Sequence, residues 1–349
     1  MAAELRIIEG NYLEDILDQP RALGDTLEGL AESPSLTALA RKLNRGAFRR
    51  VVLTGMGSSF HALHPLNLEL VDHGLTPVMV ETSELIHYQS RLFDPRTLIV
   101  AVSQSGRSAE IVSMLKVNHR RSPLIAVTNT SDSPLARLAD TTILTLAGEE
   151  FSVSCKTYVA ALVALNWLGD ILRERKLRRT RRELAAVIPV ASAYLAGWKA
   201  HLRVLADRLR DRRQLYLVGR GASIAAAGTG GLIIKESDHF PAEGMSSAAF
   251  RHGPLENVNG ETFVLLFEGG AKTRQLSRRL LLDIRKRQGK AELAGHESTL
   301  AALRLPAVDD RIRPVLEILP VEMITLALAA LAGREAGRFE SASKVTTTE

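Results

Sequence analysis

Cysteine is almost absent from this chain of 349 residues, which contains only Cys155. A single cysteine excludes an intrachain disulfide and any metal site built from several cysteines. Long apolar runs are also missing: none reaches the ~18–20 residues of a membrane-spanning helix, and the N-terminus lacks the pattern of a signal peptide. The residues are 46% hydrophobic and 24% charged, as in globular proteins, so we expect a cytoplasmic protein without a membrane partner.

Positive charge is concentrated in two segments, residues 173–182 and 208–213, within a formal net charge of +6. The first segment leads into a helix-like stretch with regularly spaced apolar residues. No aromatic residues interleave with its arginines, and no helix-turn-helix precedes the first half of the chain. We interpret these segments as solvent-facing helix surfaces and expect no nucleic-acid partner.

One segment of the chain occurs twice. Residues 51–59 read VVLTGMGSS and residues 215–223 read LYLVGRGAS. Each copy is an apolar strand that runs into a Gly-x-Gly turn with small hydroxyl residues, followed by a helical pattern rich in Ala and Leu. A duplicated unit of this size indicates two similar α/β halves rather than a solenoid, and the chain is long enough for each half to bury its own core.

Short apolar strands alternate with helical segments in both halves. Continuous apolar strands are typical of parallel strands buried on both faces, and the alternation predicts doubly wound, Rossmann-like or flavodoxin-like sheets flanked by helices. The predicted strands are 51–53, 77–80, 98–102, 124–128 and 142–146 in the first half, and 262–267 and 291–294 besides the one starting at Leu215 in the second. Helices are predicted at 108–118, 133–138, most of 151–172, and 316–331.

These patterns predict five segments. They are an N-terminal helical segment (1–48), a first α/β domain (49–170), a helical linker (171–212), a second α/β domain (213–332) and a C-terminal tail (333–349). The tail has no clear period, yet it carries a lysine, Lys344.

Hydroxyl-bearing residues follow a buried strand at residues 103–108, which read Ser-Gln-Ser-Gly-Arg-Ser. The segment opens a predicted helix, whose unpaired N–H groups and dipole favour an anion. Three hydroxyls and one amide add the donors needed to surround a phosphate monoester. The alternative is a serine-rich N-cap without a ligand, but a cap needs only one hydroxyl. We therefore predict a phosphate site at the carboxyl edge of the first sheet.

Gly-x-Gly turns also occur in dinucleotide sites, whose fingerprint has a third glycine three positions on. That position is Phe60 in the first copy and Ile224 in the second. Glu81 is placed like the ribose-binding acid of such sites, but the missing glycines disfavour a nicotinamide cofactor. The P-loop pattern is absent as well, so no cofactor and no metal are expected.

The second half carries an acid and a base that a structural strand would not need. Glu236 lies on the helix after the second Gly-x-Gly turn, and His252 follows in a loop that ends in Gly-Pro. A surface glutamate and a loop histidine are each common. Together with a phosphate loop and a reactive lysine in the tail, they suggest enolisation of a sugar, with ring opening and imine formation.

Nearly the whole chain resembles a known family, the sugar isomerase (SIS) domain pair of glucosamine-6-phosphate synthase and of stand-alone SIS enzymes. The order of the matching runs makes the resemblance specific. The runs are GMGSS (55–59), ETSEL (81–85), SQSGRS (103–108), TN (128–129), SVSCKTY (152–158), KE (235–236), Glu243, RHGPL (251–255) and KVT (344–346).

The resemblance implies two tandem SIS subdomains and a role for each matching residue. Glu236 would move the proton between C1 and C2, His252 would open the sugar ring from a neighbouring subunit, and Lys344 would form an imine. A homo-oligomer, at least a dimer with a shared active site, is therefore implied. The residues that would hold the sugar 6-phosphate are Ser58, Ser59, Ser103, Gln104, Ser105 and Ser108.

Three departures from the synthase pattern narrow the expected reaction. The chain begins Met-Ala-Ala, so we expect no glutaminase domain and no hydrolysis of glutamine. Ile233 stands where synthases have a lysine one turn before the catalytic glutamate, which removes a cation that would lower a carboxylate pKa. Ala249 stands where synthases have a glutamate before the histidine. These changes place amination of fructose-6-phosphate with glutamine in doubt.

The leading hypothesis is an SIS enzyme that converts glucosamine-6-phosphate to fructose-6-phosphate and ammonia, or runs the reverse reaction with free ammonia. One alternative is a deglycase that cleaves a phosphorylated fructosamine. Another is a non-catalytic sugar-phosphate sensor, which would not need Glu236, His252 and Lys344 together.

Overall fold

A computed structural model describes residues 6–340 and Lys344. Val345 and Thr346, which contribute to the sequence resemblance, lie outside the described residues. The elements up to the basic segment are α1 (Asn11–Leu17), α2 (Gln19–Gly29), α3 (Pro34–Asn44), β1 (Arg50–Gly55), α4 (Gly57–His61), α5 (His64–Asp72), β2 (Pro77–Glu81), α6 (Thr82–His87), β3 (Thr97–Val102), α7 (Ala109–Asn118), β4 (Leu124–Thr128), α8 (Pro134–Leu138), β5 (Thr141–Leu144), α9 (Lys156–Leu172) and α10 (Leu177–Ala185).

The remaining elements continue the alternation of strands and helices. They are α11 (Val187–Ala196), α12 (Trp198–Leu209), β6 (Gln214–Gly219), α13 (Ile224–Asp238), β7 (Ala242–Ser246), α14 (Ser247–Arg251), β8 (Thr262–Phe267), α15 (Arg274–Lys286), β9 (Lys290–Ala294) and α16 (Arg313–Ala332), with short 3₁₀ turns at Ser90–Leu92, Gly221–Ser223, Pro254–Asn257 and Ala301–Leu303.

The chain divides into two compact units, each built around one sheet. The first unit comprises Arg21–Glu149, Lys156–Ile188 and, of the tail, Lys344. The second unit comprises residues 6–20, Glu150–Cys155 and Pro189–Glu340. A short N-terminal segment thus belongs to the unit that contains the second half of the chain.

Both sheets are parallel throughout. The first has the strand order β2-β1-β3-β4-β5, and the second has the order β7-β6-β8-β9. The first order is that of flavodoxin-like folds, in which the chain changes direction between strands β1 and β3. The prediction of two doubly wound α/β sheets is confirmed.

The two cores form on the central strands, as the apolar sequence runs require. All six residues of β3 are buried in the first unit, and all six residues of β8 are buried in the second. Strands buried on both faces have no room for alternating polar residues, which explains their continuous apolar sequences.

Helix α16 is a core helix of the second unit. By length and composition it is apolar enough to cross a membrane, but 83% of its most apolar window is buried inside the protein. It also contains two buried acids, Glu317 and Glu322. Burial against the protein therefore accounts for its apolar sequence.

Strand β7 is absent from the sequence predictions. Its sequence, Ala-Glu-Gly-Met-Ser, lacks the β-branched and aromatic residues that mark a strand. The strand forms at the edge of the second sheet by pairing with β6 along its whole length. Pairing with a strong neighbouring strand therefore outweighs its weak intrinsic preference.

Helix α13, which carries Glu236, lies unusually close to β7. A Cβ atom added at Gly231 would lie 2.4 Å from the backbone nitrogen of Gly244, and one added at Gly244 would lie 1.9 Å from the carbonyl oxygen of Ala227. Neither approach is possible for a residue with a side chain. These two glycines therefore set the distance between the helix and the sheet.

We predict that Gly244→Ala lowers the free energy of unfolding by about 1–3 kcal/mol, because the added methyl group overpacks this contact. Urea denaturation followed by circular dichroism measures the change. Gly260→Ala is the matched control, because nothing lies within 4 Å of a Cβ atom added there. Equal stabilities of the two variants would contradict the proposed close packing.

Candidate active site

Two hydroxyl-bearing segments meet at the carboxyl edge of the first sheet. Ser58 and Ser59 lie on α4, directly after β1, and residues 103–108 follow β3. Strands β1 and β3 are hydrogen-bonded neighbours, with Val52 opposite Ile99. Because parallel strands end at the same edge, the structure brings both segments together at the change of direction, where flavodoxin-like folds bind ligands.

The loop after β3 is held in a fixed shape by its own hydrogen bonds. The Gly106 N–H donates to Ser103 Oγ (3.1 Å), and the Arg107 N–H donates to Ser105 Oγ (3.2 Å). The Gln104 carbonyl accepts a hydrogen bond from the backbone N–H of Asn129 (3.0 Å), at the end of β4. The loop is therefore preorganised, and the two serine hydroxyl groups keep their protons to donate.

Ser108 occupies the N-cap position of α7 without capping it through its side chain. The alternative interpretation, a serine-rich cap without a ligand, therefore leaves this hydroxyl unexplained. The neighbouring Arg107 guanidinium bonds the Asp132 carboxylate (2.8 Å), and this hydrogen bond holds the pKa of Asp132 below its usual range. The N–H groups at the start of α7 and the Ser108 hydroxyl group together suit an anion.

Glu236 lies on the last turn of α13 in the second unit, and it is half-buried. The side chain of its neighbour Lys235 forms an ion pair with Glu243 (3.6 Å). Ile233, one turn earlier, is fully buried. An apolar side chain thus occupies the position at which the family resemblance leads one to expect a cation.

His252 is exposed on the turn that follows α14. The Ser246 side chain caps the start of this short helix by accepting from the Ala249 N–H (3.0 Å). At its end, Arg251 donates to Asp283 on α15 (2.7 Å). The short helix that leads to His252 is therefore held at both ends, while the imidazole ring itself is exposed.

Two of the three predicted catalytic residues lie in the second unit, and one lies in the first. Glu236 and His252 belong to the second unit, on either side of β7 along the chain. Lys344 is half-buried and belongs to the first unit, which also contains both hydroxyl-bearing segments. Among residues 6–340 and Lys344, no cluster of three or more His, Cys, Asp or Glu side chains is arranged to hold a metal ion.

Sequence reasoning missed a buried carboxyl group beneath the second Gly-x-Gly turn. Ser223, in that turn, donates to Glu317 on α16 (2.8 Å). Burial raises the pKa of Glu317 to about 8, against the opposing charge of Arg313. The available signal was an acid inside an otherwise apolar helix, since a buried acid needs a partner or a proton.

We predict that Glu317→Gln alters the pH dependence of stability. The folded pKa is about 8, above the ordinary 4.5, so the folded state retains a proton that the unfolded state releases. This stabilisation is complete at low pH and is lost as the pH rises towards the folded pKa. Urea denaturation from about pH 5 to about pH 8 should show a stability loss in the original protein that is smaller in the variant.

The exposed Glu261, which pairs with Arg213 at the surface, provides the control as Glu261→Gln. Parallel pH profiles for Glu317→Gln and the original protein would show that this carboxyl group is ionised in the folded state.

Comparison with known proteins shows which family the chain belongs to. The SIS domain model matches residues 48–169 and 208–294. Glutamine–fructose-6-phosphate aminotransferase (isomerizing) from Pyrococcus horikoshii is 30% identical over 354 residues, which cover 97% of this chain and 57% of that protein. The chain thus spans less than three-fifths of the length of this relative.

Solved structures agree on the fold. The C-terminal domain of glucosamine-fructose-6-phosphate aminotransferase from Francisella tularensis matches with a TM-score of 0.84 at 21% identity, covering 95% of this chain and 98% of that one. Glucosamine-6-phosphate deaminase from Thermotoga maritima matches with a TM-score of 0.80 at 17% identity, covering 97% and 100%. From the two matched segments and this fold, we conclude that the chain belongs to the SIS domain family.

Proposed function

We propose that this protein is a phosphosugar isomerase that acts on an amino sugar phosphate. The reaction would convert glucosamine-6-phosphate and water to fructose-6-phosphate and ammonia, or run in reverse. The observation that carries the proposal is the meeting of two hydroxyl-bearing segments at the β1/β3 edge of the first sheet. Such an edge, with a helix start beside it, suits a phosphate monoester.

Two of the proposed phosphate donors, Ser103 and Ser105, accept hydrogen bonds from backbone N–H groups of their own loop. The loop after β3 is fixed by its own backbone bonds, so few rotatable groups would be ordered when a ligand binds. The proposed ligands of the phosphate are Ser58, Ser59, Ser103, Gln104, Ser105 and Ser108.

The chemistry needs three groups besides the phosphate site. In the proposal, His252 moves the proton that opens the sugar ring. Glu236 then takes the proton from C2 and delivers it to C1, while one proton passes from the C2 amine to the C1 oxygen, so that the aldose becomes a C2 imine with a C1 hydroxyl group. Lys344 attacks C2 and expels ammonia, and water hydrolyses the resulting lysine imine to release the ketose.

A deglycase acting on fructosamine-6-phosphate is a second candidate, and one observation favours it. Ile233 is fully buried where synthases carry a lysine, and Ala249 is exposed where they carry a glutamate. The lysine and the glutamate that synthases carry at these two positions are therefore missing here, so the chain need not retain the synthase reaction. The same residues would then release a substituted amine in place of ammonia.

Assembly and location belong to the same proposal. We propose a homo-oligomer, at least a dimer, in which His252 serves the site of a neighbouring subunit. Its exposure on a turn with a fixed backbone supports that arrangement. A cytoplasmic enzyme fits the composition and the burial of α16.

The first test is to incubate the purified protein with glucosamine-6-phosphate and to measure fructose-6-phosphate with a coupled assay. We expect ketose and ammonia in equal amounts. Release of amine from fructosamine-6-phosphate alone would favour the deglycase. Thermal stabilisation by both sugar phosphates without turnover would instead indicate a binding protein.

We predict that Glu236→Gln lowers kcat by about a hundredfold or more, because the amide cannot accept the C2 proton. Binding of the sugar phosphate, measured by calorimetry, should change little, since the phosphate donors lie in the other unit. Glu261→Gln, an exposed glutamate of the same unit, is the matched control. A Glu236→Gln variant with full activity would remove this residue from the mechanism.

A further inference from the structure

The chain after α16 turns back onto the end of α13. Gly333 ends α16 in a left-handed conformation (φ 64°), and the described tail continues to Glu340. Within it, Ala336 and Gly337 are buried although the segment has no regular secondary structure. Burial of irregular backbone requires partners for its polar groups.

Gly337 finds those partners on both sides. Its N–H donates to Ser237 Oγ (3.0 Å), and its carbonyl accepts from the Ser152 hydroxyl. Its φ is +74°, and an added Cβ atom would lie 2.2 Å from Ser152 Oγ and 2.7 Å from the Tyr12 Cβ. The tail backbone is therefore enclosed at this point, and the position requires glycine.

Arg334 makes the second attachment. Its guanidinium donates to the Asp238 carbonyl (3.0 Å), to His239 Nδ1 (3.3 Å) and to the Glu340 carboxylate (2.8 Å). Glu340 Oε2 also lies 3.5 Å from His239 Nδ1. The Arg334 side chain is 23% exposed. A planar guanidinium shared between the helix end and the tail closes residues 334–340 into a loop.

Three of these hydrogen bonds join the tail to the three residues that directly follow Glu236. Ser237 bonds Gly337, while Asp238 and His239 bond Arg334. The tail is thus attached to the last turn of the helix that carries the proposed base. Lys344 follows Glu340 by four residues, which span at most about 14 Å of extended chain.

We propose that Arg334, with Glu340 and His239, is a tail clamp that fixes the point from which the chain leads on to Lys344. The clamp rests on the proposed function, because its purpose is to position the imine-forming lysine. Arg334 is a positioning residue: it touches the helix end and the tail, and it acts on the reaction through Lys344. Ordering the tail beforehand reduces the conformational freedom that must be lost when the imine forms.

The test compares Arg334→Gln with Arg338→Gln. Arg338 is exposed on the same segment and makes no hydrogen bond or ion pair with another described residue, so the control removes the same charge without opening the clamp. Amide hydrogen exchange should become about tenfold faster at Gly337 in Arg334→Gln, because opening the clamp frees the bonded N–H. Arg338→Gln should exchange like the original protein.

Reaction of Lys344 provides the second readout. With fructose-6-phosphate and borohydride, mass spectrometry should show reduction of an imine at Lys344, at a rate about tenfold lower in Arg334→Gln. The same variant should lose kcat by a similar factor, with a smaller change in KM because the phosphate donors are intact. Arg334→Lys should restore only part of the rate, since an ammonium does not reproduce the planar fork.

The outcomes separate the clamp from the proposed function. Equal hydrogen exchange at Gly337 in the two glutamine variants would overturn the clamp, whatever the activity. Faster exchange with unchanged trapping and kcat would overturn its positioning role. Absence of trapping and turnover in the original protein would instead overturn the proposed function, and with it the purpose assigned to the clamp.

Discussion

Parallel pairing of β1 with β3 is the constraint on which the rest of the site depends. Parallel strands share an edge at their carboxyl ends, so the segments that follow them are neighbours regardless of their distance in sequence. Here residues 60–102 separate the two serine-bearing segments. Without that pairing their hydroxyl groups would have no reason to converge, and the N–H groups at the start of α7 would face solvent alone.

The two halves share this architecture but differ in the chemistry of the same position. In the second sheet the strand equivalent to β3 is β8, and the residue that follows it is Glu268, which is fully buried. Arg274 bonds its carboxylate (2.5 Å), and the Glu297 N–H donates to it as well (3.1 Å). A buried carboxyl group, already paired with an arginine, therefore occupies this edge of the second sheet. The two halves thus share one topology and differ in the residue that follows this strand, which is Ser103 in the first and Glu268 in the second.

The central strands and the paired organisation were predictable because their signal is local. Strands β3, β4 and β8 are buried throughout and apolar apart from one terminal threonine each, and β4 and β8 have the predicted bounds. Strand β7 was not predictable from its own residues, because it forms by pairing with β6 and by the close approach of Gly231 and Gly244.

The part of the candidate site that depends on residue type could be predicted from the sequence. The part that depends on tertiary contacts could not. The serine pattern at 103–108 identifies a loop with excess hydroxyl groups, yet only the structure shows that Ser103 and Ser105 accept bonds from their own loop while Ser108 leaves the helix uncapped. Glu317 pairs with Ser223 across 94 residues. Such a pairing depends on how α16 packs, which no short sequence pattern encodes.

The attachment of the tail to the end of α13 follows from the same logic of preorganisation. An imine-forming lysine on a free tail would lose conformational entropy in every catalytic cycle, at a cost of about 1–2 kcal/mol for each backbone residue ordered. With two attachments, one at Gly337 and one at Arg334, residues 334–340 lose this entropy once, when the protein folds. They hold residues 334–340, so the chain leads on to Lys344 from a fixed point beside the end of α13. The clamp thus lowers the conformational freedom that remains to be lost when Lys344 reacts.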